Sequence, residues 1–252
     1  MADGQDKKSE REFYERFFRR RGRFDQFQQS IYRRIAGEAR AVSSGTRALD
    51  LGCGSGDQAV CLSEAGFQVV ACDLSYQAAR LAGRRGRESD CGPLLSVNSD
   101  AEQVPLPAGS IDVCVCGLLL HHFGDLETLA GEIRRVLRPG GAVVAVDANA
   151  HNPFSWLFLN VVHRLYPLSG LTSNQRALGR AEIERVFAAQ GFGDFRFSSM
   201  TSDLRRDWLG DSLGARLNYY TRATLLRLSR ILLPQIRQGN MLLSVFRLQP
   251  ER

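Results

Sequence analysis

Five short runs rich in Val, Leu and Ile, at 46–51, 67–73, 93–100, 111–117 and 141–148, alternate with stretches of helical periodicity. This alternation constrains the fold more than any other feature of the chain. Runs that are apolar at nearly every position suit strands buried on both faces, as in a parallel sheet covered by helices. The helical stretches fall at 57–65, 75–88 and 125–138. In the last of these Leu126, Leu129, Ile133, Val136 and Leu137 form one stripe, and Pro139 with Gly140 and Gly141 predicts a stop that runs straight into the next strand. A further helix is expected over 179–192, then strands at 195–200 and 241–249. Repeated strand–helix–strand units predict an α/β fold, a doubly wound and mostly parallel sheet with right-handed crossovers.

At 252 residues the chain is long enough to bury a substantial core. The segments 1–43, about 149–178 and about 202–239 fall outside the strand–helix alternation. The organisation expected is therefore an N-terminal helical part over 1–43 and a main domain over 44–252 with two inserts. The six cysteines form no CxxC pair and no metal-ligand ladder, and Cys114 and Cys116 read as small apolar residues of a buried strand. This cysteine usage fits a reduced, cytoplasmic setting. The segment MADGQDKKSEREFYERFF is too charged for a signal peptide, and no apolar run reaches the roughly 18 residues needed to span a bilayer.

The net charge of +6 is unevenly distributed. Residues 7–40 hold 11 basic against 5 acidic side chains, residues 196–252 hold 10 against 4, and residues 41–195 hold 12 against 16. Lysine occurs only at Lys7 and Lys8, so nearly all of the positive charge is arginine.

The stretch LDLGCGSGD, 49–57, follows the first strand and opens the first of those helices. Glycines at Gly52, Gly54 and Gly56 let the chain turn tightly and let a ligand approach bare backbone at a helix N-terminus. The spacing is GxGxG, whereas a dinucleotide fingerprint, GxGxxG, would place its third glycine at Asp57. Charge decides further. A diphosphate against Asp50 and Asp57 in a partly dry site meets repulsion of kilocalories, while an ammonium and a sulfonium are attracted. S-adenosylmethionine carries both. Asp73 ends the second strand, 17 residues beyond Gly56, where a carboxylate can accept ribose hydroxyls. Asp100 and Ala101 follow the third strand, where an adenine amino group can be read, and Cys116 ends the fourth.

The segments LDLGCGSG, VVACDLS, SDAEQVPLPAGSIDVCVCGLLLHHF and VLRPGGAVVAVDA, in this order over residues 46–148, resemble the class I S-adenosylmethionine-dependent methyltransferases that act on small molecules. The resemblance implies a Rossmann-like, seven-stranded sheet of order 3-2-1-4-5-7-6 with the last strand antiparallel, capped by helical elements. It implies donor contacts at Gly52, Cys53, Gly54 and Gly56, an ammonium partner at Asp50, a ribose partner at Asp73 followed by Leu74, adenine contacts at Asp100 and Ala101, and a backbone contact at Cys116. It also implies that the N-terminal segment and the two inserts cover the acceptor.

Methyl transfer from a sulfonium is an in-line displacement, so alignment and exclusion of water matter most, and a base helps where the nucleophile must lose a proton. His121 and His122, just past the fourth strand, are the candidates, with His151 and His163 weaker. The aromatic residues Phe13, Tyr14, Phe17, Phe18, Phe24 and Phe27 sit among arginines. The apolar stretch 152–171 and the amphipathic stretch with Arg222, Arg227, Arg230 and Arg237 extend the same character. A basic, greasy cover over an acidic donor half suits a small-molecule or lipid-like acceptor with an anionic group, as secondary metabolism supplies, and allows peripheral contact with an anionic membrane. A monomer or homodimer is expected, and no metal. Nucleic acid is disfavoured, because GLLLHHF replaces the Asn/Asp-Pro-Pro-aromatic clamp, and Asn152-Pro153-Phe154 follows the wrong strand. An RNA methyltransferase and a non-catalytic scaffold are the alternatives.

Overall fold

The computed structural model describes residues 7–21, 27–89, 91–157, 159, 175–200, 220, 224 and 239–250. In chain order the elements are helices α1 (Lys7–Arg21) and α2 (Phe27–Val42), strand β1 (Arg47–Leu51), α3 (Asp57–Glu64), β2 (Gln68–Asp73), α4 (Tyr76–Glu88) and β3 (Leu94–Asn98). Then follow β4 (Ile111–Gly117), a 3-10 turn at Leu120–His122, α5 (Glu127–Val136), β5 (Leu137–Ala148), α6 (Pro153–Leu157), α7 (Arg180–Ala189), β6 (Phe192–Met200) and β7 (Met241–Leu248). They form one seven-stranded sheet of order β3-β2-β1-β4-β5-β7-β6. β1 to β5 pair in parallel, and β7 runs antiparallel to both β5 and β6.

Alternation along single strands fills both faces of the sheet. In β4, Cys114 and Cys116 join Leu129, Ile133 and Val136 of α5 and Phe187 of α7 in one core. Val113 and Val115 join Ile35 and Ala39 of α2 and Leu62 of α3 in the other. A strand buried on both sides must be apolar at every position, which is why IDVCVCG shows no polar alternation. Asp112 is the exception, and it is neutralised. Its carboxylate accepts from the backbone N–H of Arg47 at 2.7 Å and lies 2.9 Å from the Arg138 guanidinium.

The stretch expected to stay helical to 138 leaves the helix two residues earlier. Leu137 is already extended (φ −74°, ψ 139°) and pairs with Ile111, so β5 begins before the proline. Proline disfavours the helical conformation in the residue before it, and burial of Leu137 fixes the exit. β6 likewise starts at Phe192 rather than 195, because Phe192 stacks edge-on against Phe187 and Phe246 in the core.

Parallel topology brings the carboxyl ends of β1, β2, β3, β4 and β5 to one edge, where ligands of doubly wound folds bind. Gly56 makes the close approach of two helices there possible. It adopts φ +84°, and a Cβ would stand 2.6 Å from the Ala82 Cα of α4. Gly56→Ala is therefore expected to destabilise the protein by about 2–4 kcal/mol, from left-handed strain plus a backbone clash. Urea unfolding of the variant against the parent protein measures this.

Candidate active site

The loop after β1 is tied down by backbone bonds, since the N–H groups of Gly52 and Cys53 both donate to Cys72 O, at 2.8 and 2.9 Å. Asp50 stands at the floor of this loop, fully buried. Its Oδ1 accepts from Gln58 Nε2 at 2.5 Å, while Oδ2 has no partner, and neither does Gln58 Oε1. Burial pushes the Asp50 carboxyl up to about 7, with the Gln58 hydrogen bond opposing and the Asp73 charge adding. Gln58 reaches its position across Gly117, where any Cβ would collide with the amide.

Asp73 ends β2 and holds two backbone amides, Gly54 N–H on Oδ2 at 2.8 Å and Ser75 N–H on Oδ1 at 2.9 Å. Burial raises it to about 6 despite these bonds. Leu74 follows, its carbonyl accepting from Asn98 Nδ2 at 3.0 Å. Asp100 and Ala101 lie just past β3, and Ala101 packs against the α5 core. Cys116 is fully buried at the end of β4. Two residues on, Leu118 adopts φ +61°, a conformation leucine rarely takes, and donates its N–H to Val146 O at 2.7 Å. Asp57 lies apart from this group, paired with Arg85 at the start of α3.

His121 and His122 occupy the turn after β4, both buried, with ring centroids 4.3 Å apart. His121 Nδ1 lies 2.8 Å from Asp147 Oδ1 at the end of β5, and the same oxygen accepts the His121 backbone N–H at 3.1 Å. Burial lowers His121 to about 4 and raises Asp147 to about 8. The pair thus carries no net charge at neutral pH. His122 Nε2 lies 3.4 Å from the Tyr14 hydroxyl, which also accepts from Gln175 Nε2 at 3.5 Å. Burial pushes the Tyr14 phenol up, so it remains protonated.

The residues singled out in the sequence therefore meet at one edge, with Asp50, Gly52, Cys53, Gly54, Gly56, Asp73, Leu74, Asp100, Ala101 and Cys116 in one half and His121 and His122 in the other. His151 is not among them. It is exposed, and its Nε2 accepts from Arg180 N–H at 3.4 Å. Asn152 begins α6, accepting the Ser155 N–H at 3.1 Å, and forms no part of a base clamp. His163, Phe24, Arg222, Arg227, Arg230, Arg237 and most of both inserts lie outside the described residues. Sequence reasoning missed Gln58, Asp147, Glu10 and Gln175, and read Tyr14 only as one of the aromatic residues of the N-terminal cover. Asp147 carried a usable signal, a carboxylate ending a buried strand as Asp50 and Asp73 do. The others are recruited by tertiary contacts alone.

An unpartnered buried carboxylate oxygen and a backbone cradle fit a donor bearing an ammonium and a ribose. Comparison with known proteins agrees. Residues 49–145 match the model of a methyltransferase domain family. Demethylmenaquinone methyltransferase of Geobacillus kaustophilus is 27% identical over 187 residues, covering 67% of this chain and 80% of that one. 2-phytyl-1,4-naphtoquinone methyltransferase of Synechococcus elongatus is 32% identical over 129 residues, 50% of this chain and 54% of that one. Among solved structures, the YcgJ protein of Bacillus subtilis superimposes with a TM-score of 0.66 at 20% identity, over 87% of this chain and 99% of that chain. Haemonchus contortus phosphoethanolamine N-methyltransferase 2, in complex with S-adenosyl-L-methionine, does so with a TM-score of 0.62 at 19% identity, over 94% and 60%. Residues 49–145 thus carry a methyltransferase domain, and the chain has the fold of the class I S-adenosylmethionine-dependent methyltransferases. It is an enzyme that uses S-adenosylmethionine to methylate a small molecule.

Asp50 has a testable signature without any ligand. Its proton is held more tightly in the folded state than in the unfolded one, so its contribution to stability is present at acid pH and is lost as pH rises through about 7. Because the unfolded carboxyl ionises near pH 4, Asp50→Asn is expected to change the melting temperature of the donor-free protein little near pH 4 and to raise it by several degrees near pH 8. Scanning calorimetry at the two pH values reads the difference.

Proposed function

We propose that this methyltransferase acts on a lipophilic acceptor with an ionisable ring hydroxyl, of the quinol kind suggested by the names of its relatives. The observation that carries the reading is the buried His121–Asp147 pair, a proton acceptor set at the carboxyl edge of β4 and β5 beside the aromatic face of α1, where Phe13, Tyr14, Phe17 and Phe18 stack on one another. Asp50 is the partner of the donor's ammonium, since Oδ2 is left for it. Gly52, Cys53, Gly54 and Gly56 present backbone. Asp73 takes the ribose on the lone pairs its two amide bonds leave over. Leu74, Asp100 and Ala101 flank adenine, and the Cys116 backbone closes the methionine end.

When bound, the donor supplies an electrophilic methyl group; the chain supplies alignment, dryness and a place for the acceptor's proton. With Asp147 ionised, His121 donates its Nδ1–H to that carboxylate and turns the Nε2 lone pair outward. The hydroxyl proton passes to Nε2, and Asp147 stabilises the imidazolium that forms. Protonation of Asp147 removes this base form, so turnover is expected to rise with pH through about 8.

Two experiments test the reading. Isothermal titration with S-adenosylmethionine at pH 7.5 is expected to show at least tenfold weaker binding for Asp50→Asn and for Asp73→Asn, and unchanged affinity would overturn the donor assignment. With a hydroxynaphthalene acceptor, Asp147→Asn is expected to lower kcat by about 10²-fold and abolish the alkaline rise, while donor affinity stays constant.

A lipophilic acceptor also gives a reason for peripheral membrane contact. Among the described residues no helix is long and apolar enough to cross a membrane. Lys8, Arg11, Arg16 and Arg19 are exposed on α1, and Trp156 and Tyr76 are exposed at or beside the same edge of the sheet. Co-sedimentation is expected with vesicles containing phosphatidylglycerol and not with pure phosphatidylcholine, and equal absence from both would remove the membrane contact.

A further inference from the structure

Helix α1 meets the carboxyl edge of the sheet through three polar side chains, two at the rim of the contact and one buried within it. Lys7 places its ammonium between two carboxylates beyond β3, 2.7 Å from Asp100 Oδ2 and in direct contact with Glu102. Glu15 accepts the N–H of Tyr76 at 2.6 Å at the start of α4. Between these two anchors Glu10 is only 4% exposed, and its Oε2 lies 3.6 Å from His122 Nδ1, within ion-pair reach. In a chain whose other 32 cationic side chains are all arginine save Lys8, the clamp uses a compact ammonium, the shape that fits between two carboxylates without demanding a planar face.

The charges around His122 are unusual. Glu10 and Tyr14 face it from α1, His121 adjoins it in the turn, and Asp147 of β5 and Asp73 of β2 act on it at longer range. Two buried imidazoles 4.3 Å apart cannot both be cations, because their repulsion in a dry site amounts to several kcal/mol. Each is instead matched with a carboxylate of its own, His121 with Asp147 and His122 with Glu10. The second pair exists only while α1 is seated.

We infer that Glu10 is a positioning residue which, through His122, adds a second carboxylate–imidazole pair to the acceptor site, and that Lys7 docking onto Asp100 and Glu102 is what brings it there. The inference rests on the reading of this edge as the acceptor site. Docking of α1 thus links the donor half to the acceptor half. The carboxylates that flank adenine hold the helix whose Glu10 and Tyr14 frame His122, and Tyr14 hydrogen-bonds to either tautomer of that ring.

Side-chain NMR of the full chain labelled with ¹⁵N-histidine tests this, because the protein has four histidines. Glu10→Gln keeps size and hydrogen-bonding capacity and removes the charge, so the His122 titration midpoint is expected to fall by about one pH unit or more. Lys7→Met is expected to move His122 in the same direction with Glu10 present. An unmoved His122 in Glu10→Gln overturns the pairing, and an unmoved His122 in Lys7→Met alone overturns the docking role. Titration of both variants with S-adenosylhomocysteine distinguishes the underlying reading. Binding by Glu10→Gln at the parental affinity shows an intact donor site, whereas no binding by the parent protein would sink the donor assignment and leave the histidine measurement standing.

Discussion

The site depends on a carboxylate buried without a cation. Asp50 ends a strand that is covered on both faces, in a place where an aspartate is costly unless something compensates it. One Gln58 hydrogen bond satisfies one oxygen, and the other faces the interior of the loop. A residue kept against stability marks function, and the surroundings show how much was arranged to keep it. Gly117 clears the way for Gln58, Leu118 accepts left-handed strain immediately afterwards, and Asp73 ties the glycine loop through the Gly54 amide while its other oxygen holds Ser75 at the start of α4.

Much of this was legible in the sequence because burial on both faces of a parallel sheet leaves little freedom. IDVCVCG is apolar at nearly every position because Val113 and Val115 serve one core while Cys114 and Cys116 serve the other. The carboxylates Asp50 and Asp73 stand out for the same reason, as charges at the ends of apolar runs. The strand order and the antiparallel β7 followed from the resemblance rather than from any local pattern. Helix and strand limits were less legible. Leu137 has a helical neighbourhood and a place on the helical stripe, but its burial against Ile111 and the proline two residues on draw it into β5.

A covering role for the N-terminal segment followed from the resemblance, but the part played by Glu10 of α1 was not legible. Phe13, Phe17 and Phe18 mark an apolar face, but nothing in KKSEREFYERFF distinguishes Glu10, which is buried, from Glu12, which is exposed. Both are acids on an arginine-rich helix, and only the tertiary contact with His122 separates them. Gln175 is equally anonymous until it lies against Tyr14. Residues that work at a junction of distant segments carry no periodicity and no motif, so sequence reasoning reaches the scaffold of such a site before it reaches its lining.

The electrostatics of the two halves explain why one fold serves both ligands. Asp50, Asp73 and Asp147 all hold their protons more firmly than a free carboxyl does, for one shared reason, burial with too few cations. In the donor half that deficit favours a ligand that brings positive charge. Transfer of the methyl group turns a sulfonium into a neutral sulfide, so a carboxylate held against sulfur would stabilise the reactant more than the transition state and slow the reaction. In the function proposed above Asp50 avoids this penalty by serving the ammonium, whose charge is the same before and after transfer. In the acceptor half each carboxylate is matched with an imidazole, so the deficit there is met by a proton instead. In that reading the proton released by the acceptor enters a pair whose Asp147 is ionised, so the pair passes from one negative charge to none, and the two halves need no exchange of charge between them.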